Sequence, residues 1–175
     1  MNWDSKIAAT VKSVPPSGIR KFFDLASTME GVISLGVGEP DYAAPDKVID
    51  ACIESLKNKE TSYTSNLGLM KLREEIAALF HRRYHVDYNP ANEIVVTVGV
   101  SEAISIAMTA LLNPGDEVLY TDPCFVSYPA EVRMAHGVPV AIETRVEDAF
   151  ALDPEKLREK ITPKSRVLLL NFPCN

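Results

Sequence analysis

The residues best suited to chemistry stand where apolar runs end. Gly99-Val100-Ser101 lies between a β-branched run, Ile94 to Val98, and a helical pattern that follows Glu102. In that pattern Ala103, Ile104, Ala107, Met108, Leu111 and Leu112 recur at helical spacing. A strand-to-helix turn this short aims the first helical N–H groups at one spot, where the helix dipole favours negative charge. Gly99 lets a ligand approach the backbone, and the Ser101 hydroxyl can cap the helix or bind an oxyanion. The chemistry is that of a phosphate cradle, although an ordinary βα turn with a serine cap has the same sequence. Phe125 offers a flat aromatic face in a second loop, and Asn175 an amide in a third. His81 and His85 have metal-pair spacing, but no Glu follows His81 and no third ligand is evident. A solvated basic helix end is the preferred reading there.

The elements that must position these groups follow from periodicity. Helices are predicted at Ser17 to Ala26, Pro45 to Lys57, Leu69 to Tyr84, Val126 to Ala135 and from Asp153-Pro154 to Lys160. The stripe Val48, Ile49, Cys52, Ile53 and Leu56 should be buried, as should Leu69, Leu72, Ile76, Leu79 and Phe80. Strands are predicted at Ile94 to Val98, Glu117 to Tyr120, Val138 to Ile142 and Val167 to Leu170, with a short extended run at Val32 to Leu35. Apolar strands alternating with helices imply an α/β fold, a mostly parallel sheet covered on both faces. Ligands of such sheets sit at the carboxyl ends of the strands, the edge from which Gly99 to Ser101, Asp122 to Phe125 and Asn171 to Asn175 all emerge.

Composition narrows the function classes. The chain of 175 residues is 46% hydrophobic and carries a formal net charge of −6. Its pI near 5.1 and lack of any basic block argue against nucleic acid or an anionic membrane as partner. No apolar run reaches spanning length, and the polar start is unlike a signal peptide. Cys52, Cys124 and Cys174 are an odd set without paired spacing, as expected of reduced thiols in a cytoplasmic protein.

An anion cradle, an aromatic face and an amide at one sheet edge match a phosphate, a ring and a ring substituent. Five motifs in order then make the chain resemble the N-terminal part of a class I/II aminotransferase of fold type I. Leu35-Gly36-Val37-Gly38-Glu39-Pro40-Asp41-Tyr42 resembles the family's Gly-Glu-Pro-Asp-aromatic loop, and Tyr63 through Gly68 to Leu72-Arg73-Glu74-Glu75-Ile76-Ala77 its Tyr…Gly…Leu-Arg…Ile-Ala segment. Thr97 to Ala103 resembles the phosphate turn, and Asp122 to Pro129 the ring-stacking loop. Asn171-Phe172-Pro173-Cys174-Asn175 resembles the start of Asn-x-Pro-x-Asn-Pro-Thr-Gly.

The resemblance implies pyridoxal 5'-phosphate as cofactor and a three-layer sandwich as fold. Val100, Ser101 and Glu102 would hold the phosphate, Phe125 would stack on the ring, and Asn175 would bind the ring hydroxyl. Gly38 would lie against the substrate carboxylate, and Tyr63 would reach the phosphate of a neighbouring subunit in a homodimer. Asp122 is read as a turn residue before Pro123. Residues 1–45 would form an arm and substrate loop, and 46–175 an incomplete large domain. By the same resemblance the Schiff-base lysine, the ring-nitrogen aspartate and the arginine for the substrate carboxylate fall after Asn175, so no catalytic residue is assigned. The expected reaction moves an amino group between an amino acid and a 2-oxo acid. The alternatives are a truncated, inactive interaction module, or a carbon–sulfur lyase or synthase of the same fold type. A nucleotide-binding Rossmann protein is disfavoured because Gly-x-Gly-x-x-Gly is absent from the turn. Residues 1–175 alone are expected to be poorly soluble or to unfold without cooperativity.

Overall fold

The computed structural model describes residues 3–16, 18–33, 40 and 42–172. In chain order the helices are α1 (Ala9–Lys12), α2 (Gly18–Ser27), α3 (Asp46–Lys57), α4 (Met70–Tyr84), α5 (Gly99–Leu111), α6 (Ser127–Met134) and α7 (Pro154–Lys160). The strands are β1 (Glu117–Asp122), β2 (Val138–Glu143) and β3 (Ser165–Leu169). The chain divides into two compact units, Gly18–Thr97 and Met1–Ser17 with Val98–Asn175.

The second of these is built on a parallel sheet of order β2-β1-β3. The path from β1 through α6 to β2 moves one way across the sheet, and the path from β2 through α7 to β3 moves back. Right-handed crossovers in opposite directions require α6 and α7 to cover opposite faces. Central β1 is therefore the most deeply covered strand, with Val118 at 0% and Leu119 at 2% exposure. Met108 of α5 and Val132 of α6 close over Val118, with Ile104, Leu112, Val167 and Leu169 packed around them. The foot of β3 is tied to β1: Glu117 N–H donates to the Lys164 carbonyl at 2.8 Å. The Glu117 carboxylate in turn accepts from the Thr162 and Ser165 hydroxyls at 2.6 and 3.1 Å. Asp153 caps α7 by accepting from Glu155 N–H at 2.9 Å, with Pro154 opening the helix.

Two sheet expectations are corrected. Ile94 to Val98 is not a strand: among the described residues no ladder reaches it, and Val96 N–H instead donates to the Leu67 carbonyl at 3.0 Å. A β-branched run makes a strand only where another strand supplies the ladder. Coverage on both faces holds for β1 but not for β3, whose Leu168 is 41% exposed.

The unit Gly18–Thr97 is helical and sparsely buried. The α3 stripe expected to be buried is open instead, with Val48, Ile49, Ile53 and Leu56 all exposed. Periodicity made the helix but did not supply a surface to cover it. On α4, Ile76 and Phe80 are half-buried, whereas Leu69, Leu72 and Leu79 are exposed, against expectation. The Phe80 ring lies 5.4 Å from both Tyr84 and Tyr88. Of the extended run expected at Val32 to Leu35, Ser34 and Leu35 lie outside the described residues; Val32 and Ile33 carry no regular structure.

Candidate functional site

Helix α5 begins at Gly99 itself, so Gly99-Val100-Ser101 is its first turn and not a separate connector. Gly99 has φ +78°, and a Cβ there would meet nothing within 4 Å, so the approach to this turn is open. Val98, Val100, Ser101 and Glu102 are exposed. Of the two uses open to the Ser101 hydroxyl, capping the helix or binding an oxyanion, the cap is not made: Ser101 lies inside the helix, and the N-cap position is Val98, which has no side-chain cap. The Glu102 carboxylate turns back to accept from Val98 N–H. Glu102 thus closes the first turn, with its backbone N–H directed into the helical ladder. Val100 and Ser101 are left as the expected donors whose N–H groups lie ahead of that ladder. A glutamate one turn after the helix start was the available signal for this cap.

Phe125 stands between β1 and α6, its carbonyl accepting from Tyr128 N–H at 3.1 Å. Its ring meets Tyr128 edge-on, with centroids 5.8 Å apart and planes at 74°. An edge contact leaves a ring face available, and Phe125 is 36% exposed. Helix α5 returns to β1 through residues 112–116, its Met108, Ile104 and Leu112 joining the cluster around Val118 of β1 and Val132 of α6, so its first turn lies toward the carboxyl end of the sheet. The Phe125 loop leaves β1 at that same end. The Ser105 hydroxyl donates to the Glu131 carboxylate at 2.5 Å, joining α5 to α6 midway along their length.

The order β2-β1-β3 places the reversal of chain direction between β1 and β3, where ligands of open parallel sheets collect. A hollow of about 550 Å³ opens there, a volume in the range of small-molecule sites. Thr121, Pro123 and Cys124 line it from β1, Leu170, Asn171 and Phe172 from β3, and Phe150 and Leu152 from the excursion after β2. Asp122, expected as a turn residue, instead ends β1: it pairs with Glu143 of β2, and its carbonyl accepts from Thr144 N–H at 2.8 Å and from the Thr144 hydroxyl at 3.0 Å. Burial, with the negative charges of Cys124 and Asp122 nearby, pushes the Tyr120 phenol above its ordinary pKa, while Arg133 opposes the rise.

The remaining sequence candidates divide. Gly38 and Asn175 lie outside the described residues. Tyr63 belongs to the helical unit and projects fully into solvent. His81 Nδ1 lies 2.8 Å from the Asp87 carboxylate, and His85 ends α4 in the left-handed region at φ +55°. No group of three potential metal ligands occurs among the described residues. Arg73, a letter of the Tyr…Gly…Leu-Arg segment to which the sequence gives no role of its own, is the one buried charged side chain among the described residues, at 3% exposure. No periodicity rule would have found it.

Comparison with known proteins places this geometry. Residues 30–175 match the family described as aminotransferase class I and II. An aspartate aminotransferase of Pyrococcus abyssi is 41% identical over 162 residues, which are 93% of this chain and 42% of that protein. Aromatic-amino-acid aminotransferase 2 of Thermococcus litoralis is 40% identical over 165 residues, covering 94% and 42%. The structure of the Thermus thermophilus aspartate aminotransferase with maleate superposes at a TM-score of 0.89 and 36% identity, covering 97% of this chain and 45% of that one. The chain thus spans less than half the length of each of these relatives. With a family match across most of its length and the open α/β sheet that match requires, the chain belongs to the class I and II aminotransferases.

Proposed function

We propose that this chain is the cofactor-holding N-terminal portion of a pyridoxal-5'-phosphate-dependent amino-acid aminotransferase. The observation that carries the reading is the exposed first turn of α5 at the same sheet edge as the Phe125 ring. The residues fit the group: N–H donors and a helix dipole suit a phosphate, and an aromatic face suits a pyridine ring. When bound, the cofactor would supply the electron sink for breaking bonds at an amino acid's α-carbon.

The chain's own residues bind and orient. Val100 and Ser101 N–H groups would hold phosphate oxygens, with the Ser101 hydroxyl as a further donor. Glu102 holds the helix start in place through Val98. Phe125 would fix the ring plane, and Asn175 would donate to the ring hydroxyl. Gly38 would admit the substrate carboxylate close to the backbone. Tyr63 would donate its hydroxyl to the phosphate held by a second copy of the chain, making the working unit a homodimer. The substrates would be an amino acid and a 2-oxo acid, and the setting the cytoplasm. Residues 1–45 are assigned to an arm and substrate loop, and 46–175 to part of the cofactor domain.

The test uses the longest open reading frame that carries these residues. Purified with pyridoxal 5'-phosphate, it should show a near-ultraviolet or visible absorbance band that shifts on adding an amino acid and returns on adding a 2-oxo acid. A band that shifts without returning would favour a lyase or synthase. No bound cofactor would refute the reading.

A further inference from the structure

We infer that Gly68 and Arg73 are positioning residues for Tyr63: they fasten the loop carrying it to residues 89–97 of the same unit. The inference rests on the proposed role of Tyr63 at the phosphate of a second copy.

Tyr63 has no regular structure around it and is wholly exposed, yet the loop that follows it is densely tied. Ser65 Oγ accepts from Leu67 N–H at 3.2 Å, and the Ser65 carbonyl accepts from Gly68 N–H at 2.8 Å. The Leu67 carbonyl then accepts from Val96 N–H at 3.0 Å, fixing the loop to residues 94–97. Gly68 permits this approach. Its φ is +92°, and a Cβ there would stand 2.7 Å from Val96 Cβ and 2.9 Å from Val96 Cγ2. Any side chain at position 68 must push the two segments apart while adopting a strained backbone.

Arg73 makes the second attachment. From the first turn of α4 its guanidinium donates through one terminal nitrogen to the carbonyls of Pro90 at 2.5 Å and Ala91 at 3.2 Å. These carbonyls belong to a turn closed by its own bonds, with Glu93 carboxylate accepting from Asn89 N–H at 2.6 Å and Asn89 Oδ1 accepting from Ala91 N–H at 2.9 Å. No carboxylate pairs with Arg73 among the described residues, and its Nε is buried without a partner. A buried cation placed this way gains little as an ion pair; what it fixes is the register of α4 against the 89–93 turn. Register at Arg73 and contact at Gly68 together hold the loop from which the Tyr63 ring projects.

The test measures apparent affinities for pyridoxal 5'-phosphate and for unphosphorylated pyridoxal in the full reading frame. Tyr63→Phe should weaken the phosphorylated form by roughly tenfold, the loss of one hydrogen bond to a charged group, and leave pyridoxal unchanged. Gly68→Ala, and the milder Arg73→Lys, should produce the same phosphate-selective loss and add nothing when combined with Tyr63→Phe. Equal weakening of both ligands, a loss that adds to that of Tyr63→Phe, or no loss at all would overturn the inference while leaving Tyr63 its role. No effect of Tyr63→Phe itself would overturn that role and this inference together.

Discussion

Both units contain amphipathic helices but bury them very differently. In the sheet-containing unit, Met108, Val118, Leu119, Tyr120, Tyr128, Val132 and Ile142 are all buried. In the helical unit the described buried side chains are Ile94 and Arg73, one apolar and one charged. The difference is the parallel sheet. A strand covered by crossover helices gives each helix a broad apolar face to lie on, whereas α3 has a stripe with no such surface. Hydrophobic spacing therefore specifies what an element is, and only topology specifies what it meets.

The largest expected contrast is in hydrogen exchange of the 175-residue chain. Amides of Val118 to Tyr120 should exchange at least about a hundredfold more slowly than those of Ile49 to Ile53, because the former open only with the core. Equal protection would erase the distinction between the units. Next in size, Met108→Ala should cost about 2–5 kcal/mol, and Ile53→Ala should stay within about 0.5 kcal/mol, both read from urea unfolding. A comparable cost at Ile53 would mean that its stripe is covered in solution. Thr162→Val, which removes one donor to the Glu117 carboxylate, should cost about 1 kcal/mol and act on the sheet unit alone.

The smallest expected effect is a pH dependence confined to the sheet unit. Tyr120 has its folded pKa raised above the ordinary value of 10.0, so the folded state keeps the proton more tightly than the unfolded state. Its contribution is fully present below pH 10 and declines as pH rises through the unfolded pKa towards the folded one. Tyr120→Phe should flatten that alkaline decline in an unfolding titration; an unchanged slope would assign the decline to other groups.

Much of the sheet unit could be read from residue order. The runs Glu117 to Tyr120 and Val138 to Ile142 lie within β1 and β2, and the helix expected at Val126 to Ala135 contains α6. The strand expected at Ile94 to Val98, which does not form, shows why the rest could not be read. Its residues suit a strand, but a strand is a pairing, and no spacing names the partner. Likewise Ser101 has the right side chain for a cap, yet Glu102 reaches the first N–H group because the helix starts earlier than composition suggests. The role of Arg73 depends on carbonyls 17 and 18 residues away, a contact invisible to any local rule.

A crystal structure of the full reading frame grown with pyridoxal 5'-phosphate decides whether one sheet edge holds a phosphorylated pyridine. Phosphate oxygens should lie within hydrogen-bond distance of Val100 and Ser101 N–H, with the ring stacked on Phe125 and the Asn175 amide at the ring hydroxyl. A cofactor bound elsewhere, or Ser101 and Phe125 facing separate hollows, would contradict that placement.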